Sequence, residues 1–201
     1  MNQIYLASRS ARRRALLQQI GIGHELLLLR EDAKRGVDVD ETPRENEAPC
    51  DYALRVASAK ARAGWNALAR RAGVLMPVLA ADTTIALEQR IIGKPRDTLH
   101  AQEILAALSG REHTVITVVA LAFAARFETR VSLSRVWMQP LDSARIQRYV
   151  QTGEPMDKAG AYAVQGRAAA FITRIEGSYS GIMGLPLAQT AELLALFGVH
   201  T

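Results

Sequence analysis

Gln3-Ile4-Tyr5-Leu6-Ala7, then Ser8-Arg9-Ser10, then Ala11-Arg12-Arg13-Arg14-Ala15-Leu16-Leu17-Gln18-Gln19-Ile20, is the stretch that decides the fold class. Gln3 to Ala7 reads as a strand entering a core. Ser8 and Ser10 are helix-start residues, and Ala11 to Ile20 reads as a helix with Ala15, Leu16 and Ile20 on one face. Gly21 and Gly23 stop that helix, and His24 to Leu29 reads as a second strand. Strand, helix and strand in immediate succession open an α/β fold.

The alternation continues outward. Glu31 to Pro49 is polar, acidic and proline-bearing, and reads as a loop. Asp51 is expected to cap a long helix to about Arg71. Pro77 to Ala81 reads as a short buried strand. Thr84 to Leu87 and Arg90 to Ile92 read as a hairpin across Glu88-Gln89, although neither is a favoured turn residue. Thr98 to Leu108 is a helix ended by Ser109-Gly110, and His113 to Ala125 and Phe127 to Met138 are long strands. Asp142 caps a helix to Gln151. A glycine-punctuated segment then runs through Gly166, Phe171 to Ile175 is a strand, and Leu187 to Phe197 is a last helix. The expected fold is α/β, a mixed twisted sheet flanked by helices, with residues 1–201 forming a single domain.

Composition narrows the function classes. With 49% hydrophobic residues in a chain of 201, a sizeable core can be buried and a disordered chain is excluded. The lone cysteine, Cys50, excludes a disulfide scaffold and any Cys-based zinc or iron–sulfur site, and fits a reducing compartment. The longest charge-free apolar run, Thr114 to Ala125, falls short of the about 20 residues a membrane span needs. The first residues lack a basic stretch followed by an apolar core, so the cytoplasm is the expected location. The net charge of +5 is concentrated at Arg9, Arg12, Arg13 and Arg14, and no aromatic residue interleaves with them. That suits a small polyanion better than a broad nucleic-acid face.

Six segments carry chemistry-bearing residues. Arg12 and Arg13 follow Ser8 and Ser10 at the start of a helix, where cations oppose the helix dipole. A bound polyanion would resolve that conflict, and a solvated arginine cluster with a serine cap is the plainer reading. Ala80-Ala81-Asp82-Thr83 places an acid just after an apolar strand, where it could take a metal or a proton from water, or simply cap a turn. The expected hairpin returns Gly93-Lys94-Pro95 toward Asp82. Lys60, in Ala57-Ser-Ala-Lys60-Ala-Arg-Ala63, has small neighbours that could let it reach inward, although an exposed helix lysine is the default. Glu41 in the acidic loop is either solvated or a second metal carboxylate. In the glycine-punctuated segment, Gln165 could read a base edge, while Asp157 and Lys158 could pair on the surface.

Taken together, these stretches resemble the Maf family of nucleoside triphosphate pyrophosphatases. The matching residues are Leu6-Ala-Ser8-Arg-Ser10-Ala-Arg12-Arg13, Ala81-Asp82-Thr83, Gly93-Lys94-Pro95-Arg96-Asp97, Leu108-Ser109-Gly110-Arg-Glu-His113, Gly153-Glu154-Pro155-Met-Asp157-Lys158-Ala159-Gly160-Ala-Tyr162, Gln165-Gly166 and Gly184-Leu185-Pro186, in order along nearly the whole chain. The resemblance implies a Maf/inosine-triphosphatase-like fold with two lobes around a central cleft. It implies cleavage of a nucleoside triphosphate to the monophosphate and pyrophosphate with a divalent metal, Mg²⁺ or Mn²⁺. It implies Asp82 as proton acceptor, Ser8, Arg13, Lys60, Lys94 and Lys158 at the phosphates, and Asp82 and Glu41 at the metal. Arg12, Thr83 and Gln165 match the three positions that mark the branch acting on dTTP and UTP; the 7-methyl-GTP branch carries Trp, Gln and Glu there. Arg9 stands where the family usually has a small residue, and Ala11 where proline is common. The resemblance extends to a homodimer, which no stretch of this sequence itself demands. Neither nucleic acid nor membrane is an expected partner. A nucleotide-binding regulator of cell division without turnover is the alternative function.

Overall fold

The computed structural model describes residues 2–30, 36–70 and 74–201. The expected loop start at Glu31 and helix end at Arg71 lie outside them. Among the described residues a seven-stranded mixed sheet runs in the order β2-β1-β3-β5-β6-β7, with β4 also paired to β3. The strands are β1 (Gln3–Leu6), β2 (Gly23–Leu26), β3 (Val78–Leu87), β4 (Arg90–Ile92), β5 (Glu112–Phe123), β6 (Arg126–Met138) and β7 (Ile172–Glu176). The helices are α1 (Ala11–Gln19), α2 (Pro49–Ala69), α3 (Thr98–Leu108), α4 (Ser143–Val150), α5 (Tyr179–Met183) and α6 (Leu187–Leu196). No described helix is long and apolar enough to cross a membrane.

Pairing of β1 with β2 and β3 is parallel; β3, β4, β5, β6 and β7 pair antiparallel. Alternation along β3 and β5 sends side chains to opposite faces of the sheet. Val78, Ala80, Ile116, Val118 and Ala120 pack under α2, whereas Leu79, Ala81, Val119 and Leu121 pack with α1 and α6. Ile85, Leu87 and Val115 join a third cluster with α3 and α4. Between the last two clusters the same sheet face carries hydroxyls. Thr83 and Thr117 share a hydrogen bond of 3.0 Å, and Thr117 donates to the Gly181 carbonyl of α5 at 2.8 Å.

Helix α2 lies very close to the sheet. Its buried face is Ala53, Val56, Ala57, Ala61 and Gly64, and a Cβ on Gly64 would come within 2.9 Å of Val78. Lys60 falls on that same face, one turn from Val56 and from Gly64.

Several expectations need correction. Asp51 does not cap α2: Ala48 is the N-cap, Pro49 opens the helix, and Asp51 sits in its first turn. On α1 the buried residues are Leu16 and Leu17, and Ala15 is exposed. Strand β2 ends at Leu26, short of Leu29. The glycine-punctuated segment contains short 3-10 turns at Glu154–Asp157 and Ala159–Ala161. The largest correction concerns β3. It does not stop at Ala81 but continues to Leu87, so Asp82 lies within a strand and not after one.

Candidate active site

The sheet opens along one edge of β3. Its other edge is paired with β5 from Val78 to Ala86. On the open edge β1 pairs only with Val78 and Leu79, and β4 pairs only from Ile85 onward. Residues 80–84 therefore have no strand beside them there, among the described residues. Ligands in α/β sheets gather where neighbouring strands part, and a cavity of about 1090 Å³ opens at this gap. Ser8, Arg12, Arg13, Glu41, Lys60, Asp82, Thr83, Lys94, Lys158 and Gln165 all border it.

Asp82 and Lys60 form its most enclosed pair, with 11% and 15% of their side-chain surfaces exposed. Lys60 Nζ donates to Asp82 Oδ1 at 2.9 Å and lies 3.0 Å from Glu41 Oε2. One ammonium thus joins a carboxylate from a central strand to one from an irregular loop. Thr84 donates its hydroxyl to Asp82 Oδ2 at 3.1 Å. The inward reading of Lys60 holds. The lysine on Asp82 is Lys60, whereas Lys94 is exposed on the rim of the same cavity.

Around the β1–α1 turn, Ser10 caps the helix by accepting from the Arg13 amide at 3.4 Å. Arg13 donates to the Gly184 carbonyl at 2.8 Å, to Ser8 Oγ at 3.1 Å and to Thr83 Oγ1 at 3.3 Å. Arg12 donates to the Met183 carbonyl at 3.4 Å. These carbonyls end α5, where the helix dipole is negative. Two first-turn cations of α1 are thereby balanced by the C-terminus of another helix. Gly184 makes this geometry available with a φ of 119°, which disfavours any side chain. Burial pushes the Arg13 pKa below its ordinary value, while Asp82 pulls it back up. Thr117 donates to Gly181, so in the Thr83–Thr117 contact Thr83 is the donor. Thr83 therefore faces the cavity as an acceptor.

The opposite wall is the 154–166 segment. Gly160 donates its amide to the Gly93 carbonyl at 3.0 Å, which fastens this wall to β4. Tyr162 and His113 share a buried hydrogen bond of 2.8 Å, and burial pushes the His113 pKa down to about 4. Lys158 donates to the Glu154 carbonyl at 2.7 Å and pairs with the exposed Asp157, but Lys158 is itself largely enclosed and not on the surface. Gln165 is exposed at the rim.

A family model described as Maf-like protein matches residues 3–197. The chain belongs to the Maf family. This Maf chain is 55% identical to a dTTP/UTP pyrophosphatase of Nitrosomonas europaea, over 98% of its own length and 96% of the relative's. It is 56% identical to a dTTP/UTP pyrophosphatase of Aromatoleum aromaticum over the same shares. Among solved structures, the Staphylococcus aureus Ham1 protein is similar at 17% identity with a TM-score of 0.43, covering 84% of this chain and 90% of that one. That likeness is too loose to bear on the site.

The donor set of the Maf chain suits a small hard cation. Among the described residues no cluster of three or more His, Cys, Asp or Glu is placed to hold a metal. Asp82 Oδ1 and Glu41 Oε2 instead both reach the Lys60 ammonium, so two carboxylates stand beside one another at the cavity with Lys60 between them. Magnesium is usually held by one or two carboxylates plus substrate phosphates, not by an all-protein cage. Sequence reasoning singled out neither Tyr52 nor Arg55 beside this pair. The three-residue spacing places Tyr52 and Arg55 side by side on α2, but nothing in the sequence ties them to the loop that carries Glu41.

Proposed function

We propose that this Maf chain hydrolyses dTTP and UTP to the monophosphate and pyrophosphate. The observation that carries the reading is the meeting of Asp82, Glu41 and Lys60, with Arg13 bordering the same cavity. Relatives named dTTP/UTP pyrophosphatase at 55% and 56% identity support the substrate class.

Arg13, Lys60 and Lys94 bind the triphosphate and hold it in line, with Ser8 fixing Arg13 and Lys158 at the far wall. Asp82 and Glu41 would hold the divalent cation, Mg²⁺ or Mn²⁺, which would offset phosphate charge. Asp82 orients a water and accepts its proton as the oxygen attacks the α-phosphorus. The new bond forms from that oxygen to the α-phosphorus, and the bond to the bridging α–β oxygen breaks. Pyrophosphate leaves with the electron pair. Thr83 as an acceptor, Gln165 as donor and acceptor, and Arg12 read the base. A pyrimidine with an N–H between two carbonyls offers complementary groups.

Incubation with Mg²⁺ and a panel of triphosphates tests this. The expected products are dTMP or UMP plus pyrophosphate, with purine nucleotides turned over more slowly. Release of single phosphates, a preference for GTP, or nucleotide binding without product would contradict it.

A further inference from the structure

Glu41 is carried by a segment with no helix or strand of its own between Gly36 and Ala48. Ordering such backbone costs conformational entropy. The Glu41–Lys60 pair alone is a weak anchor, because 43% of the Glu41 side-chain surface is exposed.

Helix α2 holds the segment by its backbone. Arg55 Nη1 donates to the Asp40 carbonyl at 3.0 Å, Tyr52 Oη donates to the Glu41 carbonyl at 3.0 Å, and Arg55 Nη2 donates to the Thr42 carbonyl at 3.0 Å. Three consecutive carbonyls are thus gripped, with Glu41 in the middle. Arg55 is itself locked by Glu47, through Nε to Oε1 at 2.6 Å and Nη2 to Oε2 at 2.8 Å. Its guanidinium lies 5.5 Å from the Tyr52 ring centroid. Only a planar fork can reach a bidentate carboxylate and two carbonyls at once. Arg55 holds the Glu47 pKa down at about 2, so the lock stays ionised across the physiological range.

We propose that Arg55, with Tyr52, is a positioning residue that fixes the backbone of Glu41 so that its carboxylate meets Lys60 beside Asp82. The role rests on the proposed pyrophosphatase reading, because Glu41 matters to turnover only if that reading holds. Arg55 does not line the cavity, whereas Tyr52 and Glu41 do, so Arg55 acts through where it puts Glu41.

A double-mutant cycle with an exchange measurement tests it. Arg55→Met is expected to lower kcat for dTTP by about 10-fold, and by no more than Glu41→Gln does, through misplacement of the Glu41 carboxylate. In the Glu41→Gln background the same change is expected to cost no more than about twofold. Arg55→Lys, which keeps the charge and loses the fork, and Glu47→Gln, which frees the guanidinium, are each expected to fall between. They carry the cycle if Arg55→Met does not melt cooperatively. Hydrogen–deuterium exchange of peptides covering 38–48 is expected to quicken at least about tenfold in Arg55→Met, with peptides of β3 unchanged. Equal losses in both Glu41 backgrounds, or unchanged exchange over 38–48, would overturn the proposal. A wild-type protein that releases no pyrophosphate from dTTP or UTP would instead sink the functional reading, and the exchange result would still decide the clamp.

Discussion

Asp82 and Glu41 reach the same ammonium from two very different kinds of backbone. Asp82 stands on β3, a ten-residue strand paired along its other edge from Val78 to Ala86 and buried nearly throughout. Glu41 stands on an irregular strap gripped by two side chains of α2. Position on the strand comes from the main-chain ladder and core packing, which a single side-chain change does not undo. Position on the strap comes from a few charged hydrogen bonds. The strand therefore holds Asp82 rigidly. The strap holds Glu41 at Lys60 only as long as those side-chain hydrogen bonds persist. The far wall stands between these extremes, since it is irregular but rests on the buried His113–Tyr162 pair.

The comparison breaks most visibly at the strand. Asp82→Asn keeps the shape and removes the proton acceptor, so kcat for dTTP should fall by about 1000-fold while cooperative melting persists. A loss under tenfold would move the base elsewhere. At the strap, Glu41→Gln should cost about 10- to 100-fold in kcat/KM and raise the Mg²⁺ concentration for half-maximal rate, because one cation ligand is weakened. A larger loss than at Asp82 would reverse the ranking. The smallest effect on turnover belongs to the far wall, and it is read as stability. His113 titrates near 6.5 when unfolded and at about 4 when folded. Its neutral form is therefore favoured by folding. The associated stability is complete above pH 6.5 and is lost as pH falls toward 4, a loss of roughly 3 kcal/mol. Urea midpoints at pH 7 and pH 5 should differ more for the wild type than for His113→Phe. Equal differences would show that His113 does not carry the dependence.

Much of the fold was legible because its signals are local. Ser10 and Asp142 cap their helices, and Thr98 to Leu108 is a helix to the residue. The β3–β4 hairpin forms as its spacing suggests. The failures have separate causes. Asp82-Thr83-Thr84 breaks the apolar run and looks like a turn, yet β3 continues, because those polar side chains border a cleft and a hydroxyl-lined waist. Asp51 yields the helix start to Pro49, whose missing N–H and fixed φ suit a first turn. The arginines of α1 contradict the helix dipole when read alone, and find their balance at the end of α5, far along the chain. For the site, Asp82, Lys60 and Arg13 stood out through motif and setting. Arg55 and Glu47 did not, since an ion pair that clamps a loop leaves no periodicity in the sequence.

The central claim is that water held at Asp82 attacks the α-phosphorus, and isotope placement tests it most directly. Hydrolysis of dTTP in ¹⁸O-enriched water should place the label in dTMP and leave pyrophosphate unlabelled, at a rate that collapses in Asp82→Asn. Label in pyrophosphate or in free phosphate, or unchanged labelling kinetics in that variant, would contradict the account.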